Sequence, residues 1–176
     1  MKYDFNQPID RTLDHCAKYD EAAKKFGRSD VIPMWIADMD LRTAQPIMDA
    51  IAQRNELGIF GYTSRPSWYY EAVCNWQKEH NHYEFDSSLA AFALGVIPAL
   101  CTIVREFTEP GDEIIMPKPS FGEYARTAAI CGAVAKAIPL TEEYVLDLPA
   151  MVAAISSRTK LIYICNPNNP TGTVVD

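Results

Sequence analysis

Near the carboxyl end of this sequence stands Asn166-Pro167-Asn168-Asn169-Pro170-Thr171-Gly172, three carboxamides set among prolines and a glycine. Each proline fixes its own φ and restricts the residue before it, so the backbone at Asn169 is confined while its amide stays able to donate or accept. Gly95-Val96-Ile97 follows a short apolar run and opens a helical pattern. The free N–H groups and positive dipole end of such a helix suit a phosphate, although an ordinary strand-to-helix turn reads the same way. Phe121, two residues after Pro119, offers a flat face for stacking, or simply fills a core. Asp38 and Asp40 have the spacing of paired acid/base carboxylates, and equally of loop-ordering hydrogen bonds, which this segment favours. His15, His80 and His82 show no metal-ligand spacing with the cysteines, and no metal is predicted.

The elements that must position these residues alternate. Residues 1 to about 43 carry little periodicity and are expected to wrap a larger body. Helices are expected from Gln45 to Leu57, with Pro46 in the first turn and Gly58 as a stop, and from Ser67 to His80, where Tyr69, Ala72, Val73 and Trp76 have the spacing of a single buried stripe. A strand at Ala90 to Leu94 then leads into a helix from Val96 to Phe107. Strands at Glu113 to Met116, Val134 to Ile138 and Leu161 to Cys165 follow, separated by helices at Gly122 to Ile130 and Pro149 to Ile155. This order predicts an α/β fold with a mostly parallel sheet, whose ligand crevice lies at the carboxyl ends of its strands.

Composition narrows the classes. The 176 residues are 48% apolar and 22% charged, enough to bury roughly 70% of the unfolded surface in one domain. A net charge of −7 disfavours a nucleic-acid surface, because only Lys24-Lys25 stand together. Cys16, Cys74, Cys101, Cys131 and Cys165 form no C-x-x-C pair and read as reduced core thiols. The N-terminus lacks an apolar signal region and no run is long enough to span a membrane, so the expected location is the cytoplasm.

Pro33-Met34-Trp35-Ile36-Ala37-Asp38-Met39-Asp40, Phe60-Gly61-Tyr62-Thr63, Gly95 to Leu100, Pro119-Ser120-Phe121 and the asparagine-proline loop occur in the order found in the MalY/PatB C-S lyases. The sequence resembles this cystathionine β-lyase-like branch of the class I/II aminotransferase superfamily over essentially its whole length. The resemblance implies the pyridoxal-phosphate (PLP) transferase fold of type I. Residues 1–43 would be an N-terminal segment of the small domain or arm, and 44–176 the first, truncated part of the large PLP-binding domain. It also implies roles: Gly95, Val96 and Ile97 for the phosphate, Phe121 stacking on the pyridine where the branch commonly has tyrosine, and Asn169 on the phenolic oxygen. Tyr62 would reach a neighbouring subunit's phosphate, making the enzyme a homodimer, while Ile36 and Ala37, with Asn169, would border the substrate.

The activity so implied is PLP-dependent β-elimination from a sulfur-containing amino acid such as cystathionine, giving a thiol, pyruvate and ammonia. The family's cofactor lysine lies beyond Asp176, so no catalytic residue is assigned, and the chain is expected to be inactive alone. An aminotransferase shares every motif here. A non-catalytic protein that binds a transcriptional regulator is a further alternative, whereas a nicotinamide domain is opposed by the lack of G-x-G-x-x-G. Cis bonds are expected at Lys118-Pro119 and Asn169-Pro170. With the Ala90 to Leu94 strand lacking neighbours, the isolated chain is expected to be insoluble or molten.

Overall fold

The computed structural model describes residues 3–11 and 14–175. They fall into two compact units, 1–66 and 67–176. The first holds two short helices, α1 (Ala17–Asp20) and α2 (Ala22–Phe26), which the weak periodicity of this stretch did not announce, and α3 (Gln45–Leu57). Helix α3 has the expected bounds: proline sits in its first turn, and Gly58 ends it at φ +66 with its N–H bonded to Asn55. None of its side chains is buried. Its apolar face, with Phe60, borders an open groove of about 560 Å3.

The second unit begins with α4 (Ser67–Asn81) and a one-turn 3-10 helix at Ser87–Leu89. There follow α5 (Val96–Phe107), β1 (Glu113–Lys118), α6 (Glu123–Ile130), β2 (Val134–Pro139), α7 (Leu148–Ala153) and β3 (Thr159–Ile162). The sheet is parallel throughout, in the order β2-β1-β3, as the alternation of elements requires. Central β1 is buried from Ile114 to Met116. Ile114 and Met116 pack with Val104 of α5, Ala128 of α6, Ala133 and Tyr163. Alternation along the strand turns Ile115, also fully buried, to the other face.

Two expectations need correction. No strand forms at Ala90 to Leu94, and Leu94 is largely exposed. An apolar run becomes a strand only against a neighbour, and the central strand already carries β2 on one side and β3 on the other. The last strand is Thr159–Ile162 rather than Leu161 to Cys165. It starts early because Glu113 holds it there, donating its N–H to Arg158 O and accepting from Thr159 Oγ1 at 3.1 Å. Tyr163 still donates its N–H to Ile115 O at 2.8 Å before the chain turns away. Helix α7 begins one residue before Pro149, capped by Asp147, whose Oδ1 accepts from Ala150. Of the five cysteines only Cys16 is buried; the others are half-buried thiols, of which Cys131 packs against the core cluster.

The amino end of β1 is closed by a small knot. Gly111 (φ +83) leaves room for Arg158, whose Nη2 donates to Pro110 O at 3.1 Å. A Cβ on Gly111 would lie 2.8 Å from that nitrogen. Beside it Glu113 accepts from Lys136, Ser156 and Thr159, which hold its carboxyl below the usual carboxylate range, Ser156 most strongly.

No helix among the described residues is long and apolar enough to cross a membrane. Large apolar side chains nevertheless stand in the open on α3 and α4, Ile47, Ile51, Trp68 and Trp76 among them. Contiguous apolar faces of this kind bind hydrophobic dyes. We expect the 176-residue chain to enhance 1-anilinonaphthalene-8-sulfonate fluorescence in native buffer, and Trp68→Ser with Trp76→Ser to reduce the signal. An unenhanced spectrum alongside a sharp thermal transition would show these faces covered.

Candidate functional site

Three stretches of the second unit that carry candidate residues lie at element ends. Gly95 precedes α5, and Val96 and Ile97 are its first two residues. Their N–H groups have no intrahelical acceptor, and Pro98 brings no donor; the first turn is closed by Ala99 N–H on Gly95 O at 3.2 Å. Twelve residues of aligned peptide dipoles stand behind this end. Phe121 lies three residues past β1, after the Lys118-Pro119 bond, which is cis as expected. Phe121 is 39% exposed, and its ring meets that of Tyr124 edge-on at 5.7 Å. Tyr124 in turn meets Tyr163 at 5.5 Å, and the neighbouring Cys165 thiol, then burial, pushes its phenol's pKa up to about 12.

The asparagine-proline loop follows β3. Asn169-Pro170 is cis, and so is Asn166-Pro167, which the sequence reading did not anticipate. Its three asparagines divide the work. Asn166 clasps Val175, Oδ1 accepting its N–H and Nδ2 donating to its carbonyl, both at 2.9 Å. Asn168 is only 6% exposed; its N–H donates to Thr173 O, its carbonyl accepts from Gly172, and its Nδ2 donates to Thr171 Oγ1 at 2.9 Å and Pro119 O at 3.4 Å. Because a carbonyl can only accept, the nitrogen of this amide must face Pro119. Asn169 is exposed and its side chain bonds to nothing among the described residues. The loop's internal bonds are thus made by its neighbours, and the Asn169 amide is left exposed with no partner among the described residues.

Two buried polar atoms lack partners among the described residues, Asn168 Oδ1 and Tyr163 Oη. Such atoms ordinarily cost about 1–3 kcal/mol. Burial, then the nearby Cys131 and Cys101, raise the Tyr163 phenol's pKa.

In the first unit, Tyr62 is fully exposed, Ala37 exposed and Ile36 half-buried. The segment around Ile36 and Ala37 is pinned by charges. Arg11 donates to Asp14, Asp38 and Asp40 at 2.6, 3.0 and 2.8 Å, Lys18 Nζ to Asp40 at 2.6 Å and to Asp38 O at 2.8 Å, and Cys16 Sγ to Asp38 at 2.9 Å. Trp35 donates its Nε1–H to Lys18 O, meets Phe26 edge-on and carries Lys25 over its ring. Asp38 and Asp40 therefore order the loop, and both carboxylates are occupied. Arg11 and Lys18 were not recognised as their partners, since 27 and 22 residues separate the pairs.

Residues 29–176 match the family model for aminotransferase class I and II. The chain belongs to the class I and II aminotransferase family. Cystathionine β-lyase PatB of Bacillus subtilis (strain 168) is 32% identical over 172 residues, 96% of this chain and 44% of that protein. An aromatic amino acid aminotransferase of Corynebacterium diphtheriae is 49% identical over 78 residues, 44% of this chain and 23% of that protein. The PLP-bound C-S lyase of Staphylococcus hominis superposes on the whole chain with a TM-score of 0.90 and 27% identity, using 46% of that structure. The likeness to C-S lyases read from the motifs is borne out, as is the type I fold. The chain spans a little under half the length of PatB and of the S. hominis enzyme.

The charge cluster sets a pH limit on the first unit. Lys18 and then Arg11 hold the Asp40 carboxyl down to about 2, and Cys16 and then Arg11 lower that of Asp38. A carboxyl depressed in the folded state contributes stability fully present above its unfolded pKa of about 3.9. That contribution is lost as pH falls through about 2. Limited proteolysis around residues 33–40 should stay slow down to pH ~4 and accelerate between ~4 and ~2. Asp40→Asn should show the fast cleavage at neutral pH; equal rates for both proteins across this range would refute the latch.

Proposed function

We propose that this chain is the N-terminal part of a PLP-dependent C-S β-lyase acting on a sulfur-containing amino acid such as cystathionine. On this reading residues 1–43 are an N-terminal segment of its small domain or arm and 44–176 the first part of its large PLP-binding domain. The carrying observation is the division of labour in the asparagine-proline loop, which leaves one exposed amide, Asn169, on a loop tied to the stretch bearing Phe121.

PLP presents a phosphate dianion, a flat pyridine ring and a phenolic oxygen, and the chain has a group suited to each. The amides of Gly95, Val96 and Ile97 take the phosphate at the α5 terminus, where charge and dipole agree. The exposed Phe121 face takes the ring; without a hydroxyl it contributes stacking alone. The Asn169 amide donates to the phenolic oxygen and favours its ionised form. Ile36 and Ala37, kept in place by the Arg11 and Lys18 bonds to Asp38 and Asp40, are assigned to substrate binding, as is Asn169. Tyr62, exposed in the single chain, donates to the phosphate of a second subunit in a homodimer. When bound, PLP supplies an electron sink for a substrate carbanion. No residue of this chain is assigned to the proton transfers that create that carbanion.

The lyase reading is favoured by similarity to PatB over nearly the whole chain. The higher local identity to the C. diphtheriae aminotransferase favours transamination, which uses the same groups. An aqueous reducing compartment suits the half-buried free thiols, and we place the protein in the cytoplasm.

Borohydride reduction of the 176-residue chain with PLP should give no stoichiometric adduct at any single lysine. Titration with 4′-deoxypyridoxine 5′-phosphate, which has the cofactor's phosphate, ring and phenol but no aldehyde, should show binding that Phe121→Ala weakens by about three- to tenfold. In the longest reading frame containing these residues, cystathionine should yield pyruvate without an added 2-oxo acid. A requirement for that acceptor would establish the aminotransferase instead.

A further inference from the structure

Of the groups in the second unit that the proposed function leaves unused, Asn168 is the one whose geometry reaches across the sequence. It is 94% buried by its exposure of 6%, yet it lies in a loop whose neighbours on both sides are exposed. A buried amide in such a place needs a reason. Its four hydrogen bonds fall into two sets. Three close the loop on itself, to Thr171, Gly172 and Thr173. The fourth runs from Nδ2 to Pro119 O, 49 residues earlier, in the stretch between β1 and Phe121.

We propose that Asn168 is a positioning residue: by donating one amide to both Pro119 O and Thr171 Oγ1, it joins the two loops so that the Phe121 ring and the Asn169 amide are presented as one unit. Thr171 serves as the second anchor, since its Oγ1 also lies 3.0 Å from Thr173 Oγ1 and keeps the loop's return leg in reach. The Phe121 ring also meets the ring of Tyr124, in the first turn of α6, edge-on at 5.7 Å. Asn168 thus supplies the side-chain hydrogen bond that joins the two loops, at the position adjacent to Asn169. The role requires a donor rather than a shape. Aspartate, which has the same outline but no N–H, turns the bond to Pro119 into repulsion between two oxygens. This inference rests on the PLP reading only for what the unit is used for; the coupling itself is a property of the chain.

The test uses the 176-residue chain and Asn168→Asp, with hydrogen exchange followed by mass spectrometry. In Asn168→Asp the stretches 118–124 and 165–175 should lose protection together, while 148–153 in α7 keeps its rate and certifies the fold. Loss confined to 165–175, or equal exchange in both proteins, overturns the coupling. Tyr124→Phe, which removes only the phenol beside Phe121, should by itself leave the exchange of 165–175 less affected than Asn168→Asp does; the reverse ranking also overturns it. A second arm titrates 4′-deoxypyridoxine 5′-phosphate. Asn168→Asp should weaken its binding about tenfold although no atom of Asn168 is assigned to the ligand. It should also raise the bound phenol's ionisation midpoint, read from its absorbance, as a misplaced Asn169 would. Unchanged affinity and midpoint overturn the positioning role. If the unsubstituted chain binds no analogue while the paired loss of protection is seen, the coupling stands and the cofactor reading of the two loops falls.

Discussion

The backbone ladder of β1 is the constraint on which the rest depends. It is hydrogen-bonded on both sides, to β2 over six residue pairs and to β3 at Glu113, Ile114 and Ile115, and its side chains from Ile114 to Met116 are excluded from water. A strand so bound cannot slide, because a one-residue slip would turn Ile114 and Met116 out of the cluster formed with α5 and α6. Fixing β1 fixes where its carboxyl end releases Pro119 and Phe121. Fixing β3 against it fixes where Tyr163 leaves the ladder and the asparagine-proline loop begins. The candidate site is therefore placed by sheet register, and its own hydrogen bonds only trim what the register delivers.

The two units illustrate different ways of holding a functional segment. In the second, apolar burial does most of the work and polar contacts settle details at the strand ends. In the first, among the described residues, almost nothing large and apolar is buried, and the segment around Ile36 and Ala37 is held by Arg11 and Lys18 against two aspartates. Part-exposed ion pairs of this sort are individually weak and screened by salt. Their effect here comes from sharing: Arg11 meets three carboxylates and Asp40 two cations, so ordering one side chain orders several.

Local punctuation made much of the fold legible in the sequence. Pro46 with Gly58, and Gly95 with Pro110-Gly111, bracket α3 and α5 at their observed bounds, since these residues act through their own backbone. What failed was whatever depended on a distant partner. Ala90 to Leu94 reads as a strand by composition and is none, for want of a neighbour. The early start of β3 depends on Glu113, more than forty residues away. At the site, the loop string pointed to Asn169, but sequence alone could not say which asparagine holds the loop and which is free. That distinction exists only once Pro119 O is brought beside Asn168. The roles of Arg11 and Lys18 were hidden for the same reason.

The knot at the amino end of β1 makes tolerance to substitution depend on order. Gly111 is required twice, by its left-handed φ and by the space that the Arg158 guanidinium fills. Backbone strain would accompany alanine in any background, but the steric conflict exists only while the arginine is present. Shortening position 158 first forfeits the contacts to Pro110 and Asp112, and afterwards alanine at 111 meets an emptied slot. The two substitutions are therefore non-additive, and the path that vacates position 158 before filling 111 is the milder of the two. At this corner a missing side chain and a long one behave as a single inherited character.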